Sequence, residues 1–87
     1  MEIRYKPSFI KQVHTLESAL QVEAIEKITE FKNPSSHRSL RVHPLKGELK
    51  GFYSFSVNYR YRIVFAWVGK GKKLAVLHAV GDHDVYR

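Results

Sequence analysis

The run Tyr61-Arg62-Ile63-Val64-Phe65-Ala66-Trp67-Val68 constrains the chain more than any other segment. It is almost continuous in β-branched and aromatic residues, which favour strands. A strand apolar on both faces belongs in the middle of a sheet. Alternation divides it into a bulky face of Tyr61, Ile63, Phe65 and Trp67 and an opposite face of Arg62, Val64, Ala66 and Val68. The bulky face needs a cover. The chain has 87 residues and no cysteine, so no disulfide or Cys-based zinc site can staple it. A chain of this size buries roughly 64% of its unfolded surface, enough for one modest core within one domain spanning 1–87.

The cover is predicted in the N-terminal half. Glu2-Ile3-Arg4-Tyr5 alternates as a short strand, and Pro7 suits the first turn of a helix. Phe9, Val13 and Leu16 recur at helical spacing over residues 7–16. Thr15 or Ser18 is placed to cap a second helix, whose apolar stripe is Leu20, Ala24, Ile28 and Phe31. Glu23 and Lys27 support it as an i,i+4 pair, and Asn33-Pro34 ends it. Ser39–Val42 reads as a short strand and residues 43–47 as a turn or loop. Phe52–Asn58 and Lys73–Val80 read as further strands, with a hairpin turn over Gly69–Lys72. His78 alternates with Val76 and Val80 and so reads as a packed strand residue. The predicted fold class is α+β: an N-terminal strand and a two-helix hairpin packed on an antiparallel, curved sheet of about four strands. The helices cover one sheet face and leave the other open.

The charge is concentrated in the second half. Residues 1–32 hold five Lys/Arg against five Glu, whereas residues 33–87 hold ten Lys/Arg against three acids and carry the whole net charge of +7. A basic surface of this kind suits a polyanion or an acidic protein segment. The five histidines show no metal-ligand spacing, no Gly-rich phosphate loop opens a helix, and no serine nucleophile elbow is present, so no metal and no cofactor are expected. No apolar run reaches membrane-spanning length, and the N-terminus lacks a signal-peptide core, so a cytoplasmic protein without a membrane partner is expected.

The open face is expected to form a groove lined by His43, Lys46, Lys50, Arg60, Arg62, His83 and Tyr86. Such a set offers cations for phosphates, imidazoles for proton transfer and an aromatic ring for stacking. Metal-free RNA cleavage needs these parts: a base for the 2′-OH proton, cations for the phosphorane, and an acid for the leaving 5′-oxygen. Each residue also has a plainer reading. Arg60 and Arg62 suit surface ion pairs with Glu48 or Asp82, His83 suits turn hydrogen bonds, and Tyr86 suits a core anchor.

Three segments together resemble the RelE/ParE superfamily of bacterial toxins. They are Leu45-Lys46-Gly47-Glu48-Leu49-Lys50-Gly51-Phe52-Tyr53-Ser54, Tyr59-Arg60-Tyr61-Arg62-Ile63-Val64-Phe65 and Val80-Gly81-Asp82-His83-Asp84-Val85-Tyr86-Arg87. They look like the family's L-x-G loop, Y-R-I-V-Y strand and G-x-H-x-x-x-Y tail, in that order and at this length. The resemblance is closest to the RelE, YoeB and YafQ-like branch. It implies the toxin of a type II toxin–antitoxin pair, an endonuclease that cleaves mRNA in the ribosomal A site without a metal. By position, His43 resembles a histidine ahead of the loop, Lys46 and Lys50 the loop cations on the phosphate backbone, and Arg62 the strand arginine that stabilises the transition state. His83 and Tyr86 resemble tail residues for proton transfer and base stacking; which group is base and which is acid stays open. The implied partners are mRNA on the ribosome and a cognate antitoxin whose acidic, partly disordered segment folds onto the basic groove. The alternative is a non-catalytic binder on the same fold, such as a ParE-like inhibitor of DNA gyrase.

Overall fold

The computed structural model describes residues 1–82. The elements run β1 (Glu2–Tyr5), α1 (Pro7–His14), α2 (Ser18–Phe31), a 3-10 turn (Pro34–Ser36), β2 (His43–Pro44), a second 3-10 turn (Gly47–Leu49), β3 (Tyr53–Ser56), β4 (Arg62–Val68) and β5 (Leu74–Gly81). The five strands form one sheet in the order β1-β5-β4-β3-β2. Arg62–Val68 is its central strand.

Three of the four pairings are antiparallel, as short connections require, while β1 pairs with β5 in parallel. The exception follows from the crossover. The chain leaves β1 through both helices and three strands before β5 returns beside it, so no hairpin dictates its direction. The N-terminal strand thereby joins the sheet as an edge and brings it to five strands.

The helices bury one stripe against one sheet face. Ala24, Ile28 and Phe31 of α2 and Phe9 of α1 meet Phe55, Ile63, Phe65, Ala75, Leu77 and Val80. Phe31 is the centre of this contact. Its ring lies 4.3 Å from Phe55, 4.8 Å from Phe65 and 4.8 Å from His37, centroid to centroid. His37 also bonds the Phe31 carbonyl through Nε2 at 2.8 Å, which fixes the exit of α2. On α1, Pro7 occupies the first turn, and Gln12 Oε1 accepts the Val80 N–H at 2.9 Å, tying helix to sheet.

Several local expectations are corrected. Neither Thr15 nor Ser18 caps α2: its N-cap position is Glu17, without a side-chain cap bond, and Thr15 Oγ1 donates to the Gln12 carbonyl instead. Ser39–Val42 is not a strand. Arg41 adopts φ 57°, a left-handed backbone that breaks an extended run. The strand lies just beyond, where His43 pairs with Ser54 and Pro44 with Tyr53. Pro44 has no N–H to give, which an edge strand tolerates.

The alternation of β5 is broken as well. Val64 pairs with Ala79 but Phe65 pairs with Leu77, so His78 is the extra residue of a β-bulge. The core set on β5 is therefore Ala75, Leu77 and Val80 rather than a single parity. His78 moves off the core face and meets the Phe52 ring edge-on at 5.0 Å. Its pKa lies below the ordinary 6.5, through burial first and the nearby Lys6 charge second.

Two stability outcomes follow. Phe31→Ala removes the hub of the aromatic contact and is expected to cost about 3–5 kcal/mol in denaturant unfolding. For His78, the unfolded state binds a proton more readily than the folded state. The contribution of this group to stability is therefore fully present above pH 6.5 and falls as the pH drops from there toward the lower folded-state value. His78→Gln should flatten that slope in unfolding curves taken between pH 7.5 and 5.

Candidate functional site

The sheet face turned away from the helices carries the polar residues. Along β3 it presents Ser54 and Ser56, between Phe55 and its core neighbours. His43 stands opposite Ser54 on one side, and Arg62 opposite Ser56 on the other. Ser54 and Ser56 are about 7 Å apart along β3, and His43 and Arg62 lie one strand to either side of it, so the backbones that carry the imidazole and the guanidinium are about 12 Å apart on one surface. The middle of this face is closely packed, with Ser54 at 0% and Val64 at 4% exposure.

Arg62 is half-buried and held by main-chain carbonyls. Its Nη1 donates to Asn58 O at 2.8 Å and to Tyr61 O at 3.4 Å. No ion pair involves it among the described residues. Asn58 builds the cradle. Its Oδ1 accepts the N–H groups of Arg60 (2.9 Å) and Tyr61 (2.8 Å), and its Nδ2 donates to Glu23 Oε1 on α2 at 2.7 Å. The β3–β4 turn is thus fastened to the helix layer, and the guanidinium is positioned without a carboxylate partner among the described residues. A cavity of about 240 Å³ opens beside it, lined by Arg41, Ser56, Asn58, Tyr59 and Arg62.

His43 is exposed, and its Nδ1 lies 2.7 Å from the Arg41 carbonyl. A carbonyl only accepts, so this contact assigns the proton to Nδ1 and leaves Nε2 as the basic nitrogen of the neutral ring. Nε2 faces Ser54 Oγ at 3.5 Å. The left-handed backbone at Arg41 turns that carbonyl toward His43. A non-glycine residue in this region costs on the order of 1–3 kcal/mol, which the surrounding contacts must offset.

The loop lysines flank the second 3-10 turn, Lys46 at its N-cap and Lys50 at its C-cap, both exposed. Gly47 at φ 68° and Gly51 at φ 98° give this tight loop the left-handed backbone that side chains avoid. Glu48 lies inside the turn and is exposed. Arg60 does not join the groove beside Arg62. It lies 4.0 Å from the Asp82 carboxylate and 5.7 Å from the Tyr61 ring centroid, and it lines a separate cavity of about 690 Å³ with Leu20, Glu23 and Glu26 of α2. The Asx turn at Asn58 takes Arg60 out of the strand alternation. His83 and Tyr86 lie outside the described residues.

Two residues that the sequence reading did not single out belong to the site. Arg41 contributes a cation to the cavity and a carbonyl to His43. Tyr59 lines the same cavity with 91% of its surface exposed. A tyrosine between Asn58 and Arg60 in a turn was the available signal for the latter. Arg41 sat inside a segment read as a strand, where its backbone could not be foreseen. His37 is absorbed by the core. Among the described residues no group of three or more His, Asp or Glu converges as a metal site would require. Nor is any helix among them long and apolar enough to cross a membrane.

The architecture is shared with solved toxins. The chain superposes on the toxin–antitoxin complex RelBE2 from Mycobacterium tuberculosis with a TM-score of 0.72 and 20% identity, covering 94% of this chain and 96% of that one. YafQ from Escherichia coli gives 0.69 at 16% identity, over 98% and 96% of the two chains. The archaeal RelE–RelB complex from Pyrococcus horikoshii gives 0.70 at 15%, over 93% and 92%. At these identities the likeness is one of fold. No curated protein matches in sequence. The family model for the RelE-like toxin of the type II toxin–antitoxin system HigB, however, matches residues 4–79. The chain therefore belongs to the HigB-like family of RelE-type toxins of type II toxin–antitoxin systems.

Proposed function

We propose that the protein is a metal-independent endoribonuclease that cleaves mRNA in the ribosomal A site and so stops translation. The observation that carries this reading is that a carbonyl-held Arg62, without an ion pair among the described residues, shares one sheet face with an imidazole whose Nδ1 is already engaged. His43 Nε2 takes the proton of a ribose 2′-OH. The 2′-oxygen attacks the adjacent phosphorus, and the negative charge that builds on the phosphorane falls to Arg62 and Arg41. The P–O5′ bond breaks, leaving a 2′,3′-cyclic phosphate, and a protonated group returns a proton to the 5′-oxygen. His83 is assigned that acid role and Tyr86 the stacking of a base, both on the resemblance of the tail. DNA has no 2′-OH and is not cut by this route.

Lys46 and Lys50 hold the backbone on either side, and Tyr59 offers a stacking face beside the cavity. Arg60, paired with Asp82, contributes to the general field rather than to the reacting phosphate. Two of the solved neighbours are complexes of toxin with antitoxin. By analogy, the partner here is an antitoxin with an acidic, partly disordered segment, which orders on the Arg62–Lys50 surface and covers it. The place of action is the cytoplasm, where ribosomes are.

Expression in a bacterial host is expected to arrest growth and to create new 5′ ends within abundant mRNAs. His43→Ala and Arg62→Ala are each expected to lower cleavage by about 10²-fold or more while the thermal melt stays cooperative. Arrest without new ends, together with loss of gyrase supercoiling activity, would instead favour a gyrase-directed toxin. Full activity in both variants would show that the site is misplaced.

A further inference from the structure

The outer face continues past Ser54 to a second cluster, which the cleavage chemistry leaves unused. The β5 bulge sets both His78 and Ala79 opposite Val64, and so places His78 on the same face as Arg62 and His43. Bulges interrupt the ladder and recur near functional sites, where they re-aim a side chain. The His78 ring meets Phe52 edge-on, at 5.0 Å and 87°. Phe52 is fixed by its own backbone: its N–H donates to Leu49 O at 2.9 Å and its carbonyl accepts from the Leu45 N–H at 2.9 Å. It therefore closes the loop that carries Lys46 and Lys50. The Lys6 N–H donates to Leu77 O at 3.1 Å, which sets the Lys6 backbone beside the bulge, and its charge acts on the His78 ring. Both rings remain partly exposed.

The register gives the distance from the reacting groups. Tyr53 pairs with Phe65, so Phe52 stands level with Ala66, four residues along β4 from Arg62. That is about 13 Å along the strand for Phe52, while His78, level with Val64, is two residues or about 7 Å along from Arg62, so the pair extends the same surface away from the reacting groups. An aromatic ring, an imidazole with a donor and an acceptor, and an adjacent cation are what a nucleotide needs: a face to stack on, a partner for the base edge and a charge for the phosphate.

We propose that Phe52 and His78 form a nucleobase subsite for a residue flanking the cleaved one, with Lys6 taking the neighbouring phosphate. The subsite rests on the RNA-cleavage reading and would set preference around the cut rather than the rate of cutting. If the pair merely packs the loop onto β5, substitution would lower stability and leave preference unchanged.

The test is mapping of RNA 5′ ends in cells expressing the wild type, Phe52→Leu, His78→Ala, His78→Gln and Arg62→Ala, with thermal melts of each purified variant. The wild type should show a base preference of about tenfold at one position beside the cut. Phe52→Leu and His78→Ala should bring it close to even while ends persist. His78→Gln, which keeps a donor and an acceptor, should retain most of it. An unchanged preference in Phe52→Leu and His78→Ala, or no preference in the wild type, overturns the subsite while cleavage that is lost in Arg62→Ala still stands. Absence of new ends in the wild type overturns the cleavage reading and the subsite with it.

Discussion

Everything in this fold hangs on Phe31. Its ring joins the last turn of α2 to Phe55 of β3 and Phe65 of β4, and its carbonyl anchors His37 at the start of the next segment. One helix end thus sets the position of the two central strands and the direction in which the chain approaches β2. Both helices of the described residues pack on one face of the sheet, and the opposite face carries polar residues. The asymmetry between a neutral helical half and a basic sheet half is the electrostatic side of the same division.

The outer face uses main-chain groups to position charges. Arg62 is held by the carbonyls of Asn58 and Tyr61, and His43 by the carbonyl of Arg41. Carbonyls orient a cation or an imidazole without neutralising it, whereas a carboxylate partner would fill the place of a phosphate. Arg60 shows the contrast: it has Asp82 beside it and faces the helical hairpin. The distinction between two arginines two residues apart is made by Asn58, whose side chain links the turn to Glu23. Through Asn58 the helix layer bears on the turn that holds Arg62.

The long periodic segments were legible because burial on one face imposes a period on the sequence. The stripe Ala24, Ile28, Phe31 and the run Arg62–Val68 are both of this kind. What was not legible depended on backbone geometry that side-chain pattern does not encode. The left-handed Arg41 moved β2 from Ser39–Val42 to His43–Pro44, and with it placed the His43 imidazole against a carbonyl. The bulge at His78 let Leu77 and Val80 share a face despite their odd spacing, which no simple alternation predicts. The parallel pairing of β1 with β5 joins the two most distant strands of the chain, beyond the reach of any local rule. The candidate site was legible in His43, Arg62 and the loop lysines as residue types. The presence of Arg41 and the departure of Arg60 were settled by turns.

The central claim is that the outer face cleaves RNA through the ribose 2′-OH, with His43 as base and Arg62 as the stabilising cation. The most direct measurement is in a purified translation reaction, using an mRNA cut by the wild-type protein and the same mRNA with a single 2′-deoxy nucleotide at the cut position. The account predicts loss of cleavage at that position alone, with stalled ribosomes still bound. Cleavage that persists at the deoxy position would contradict it.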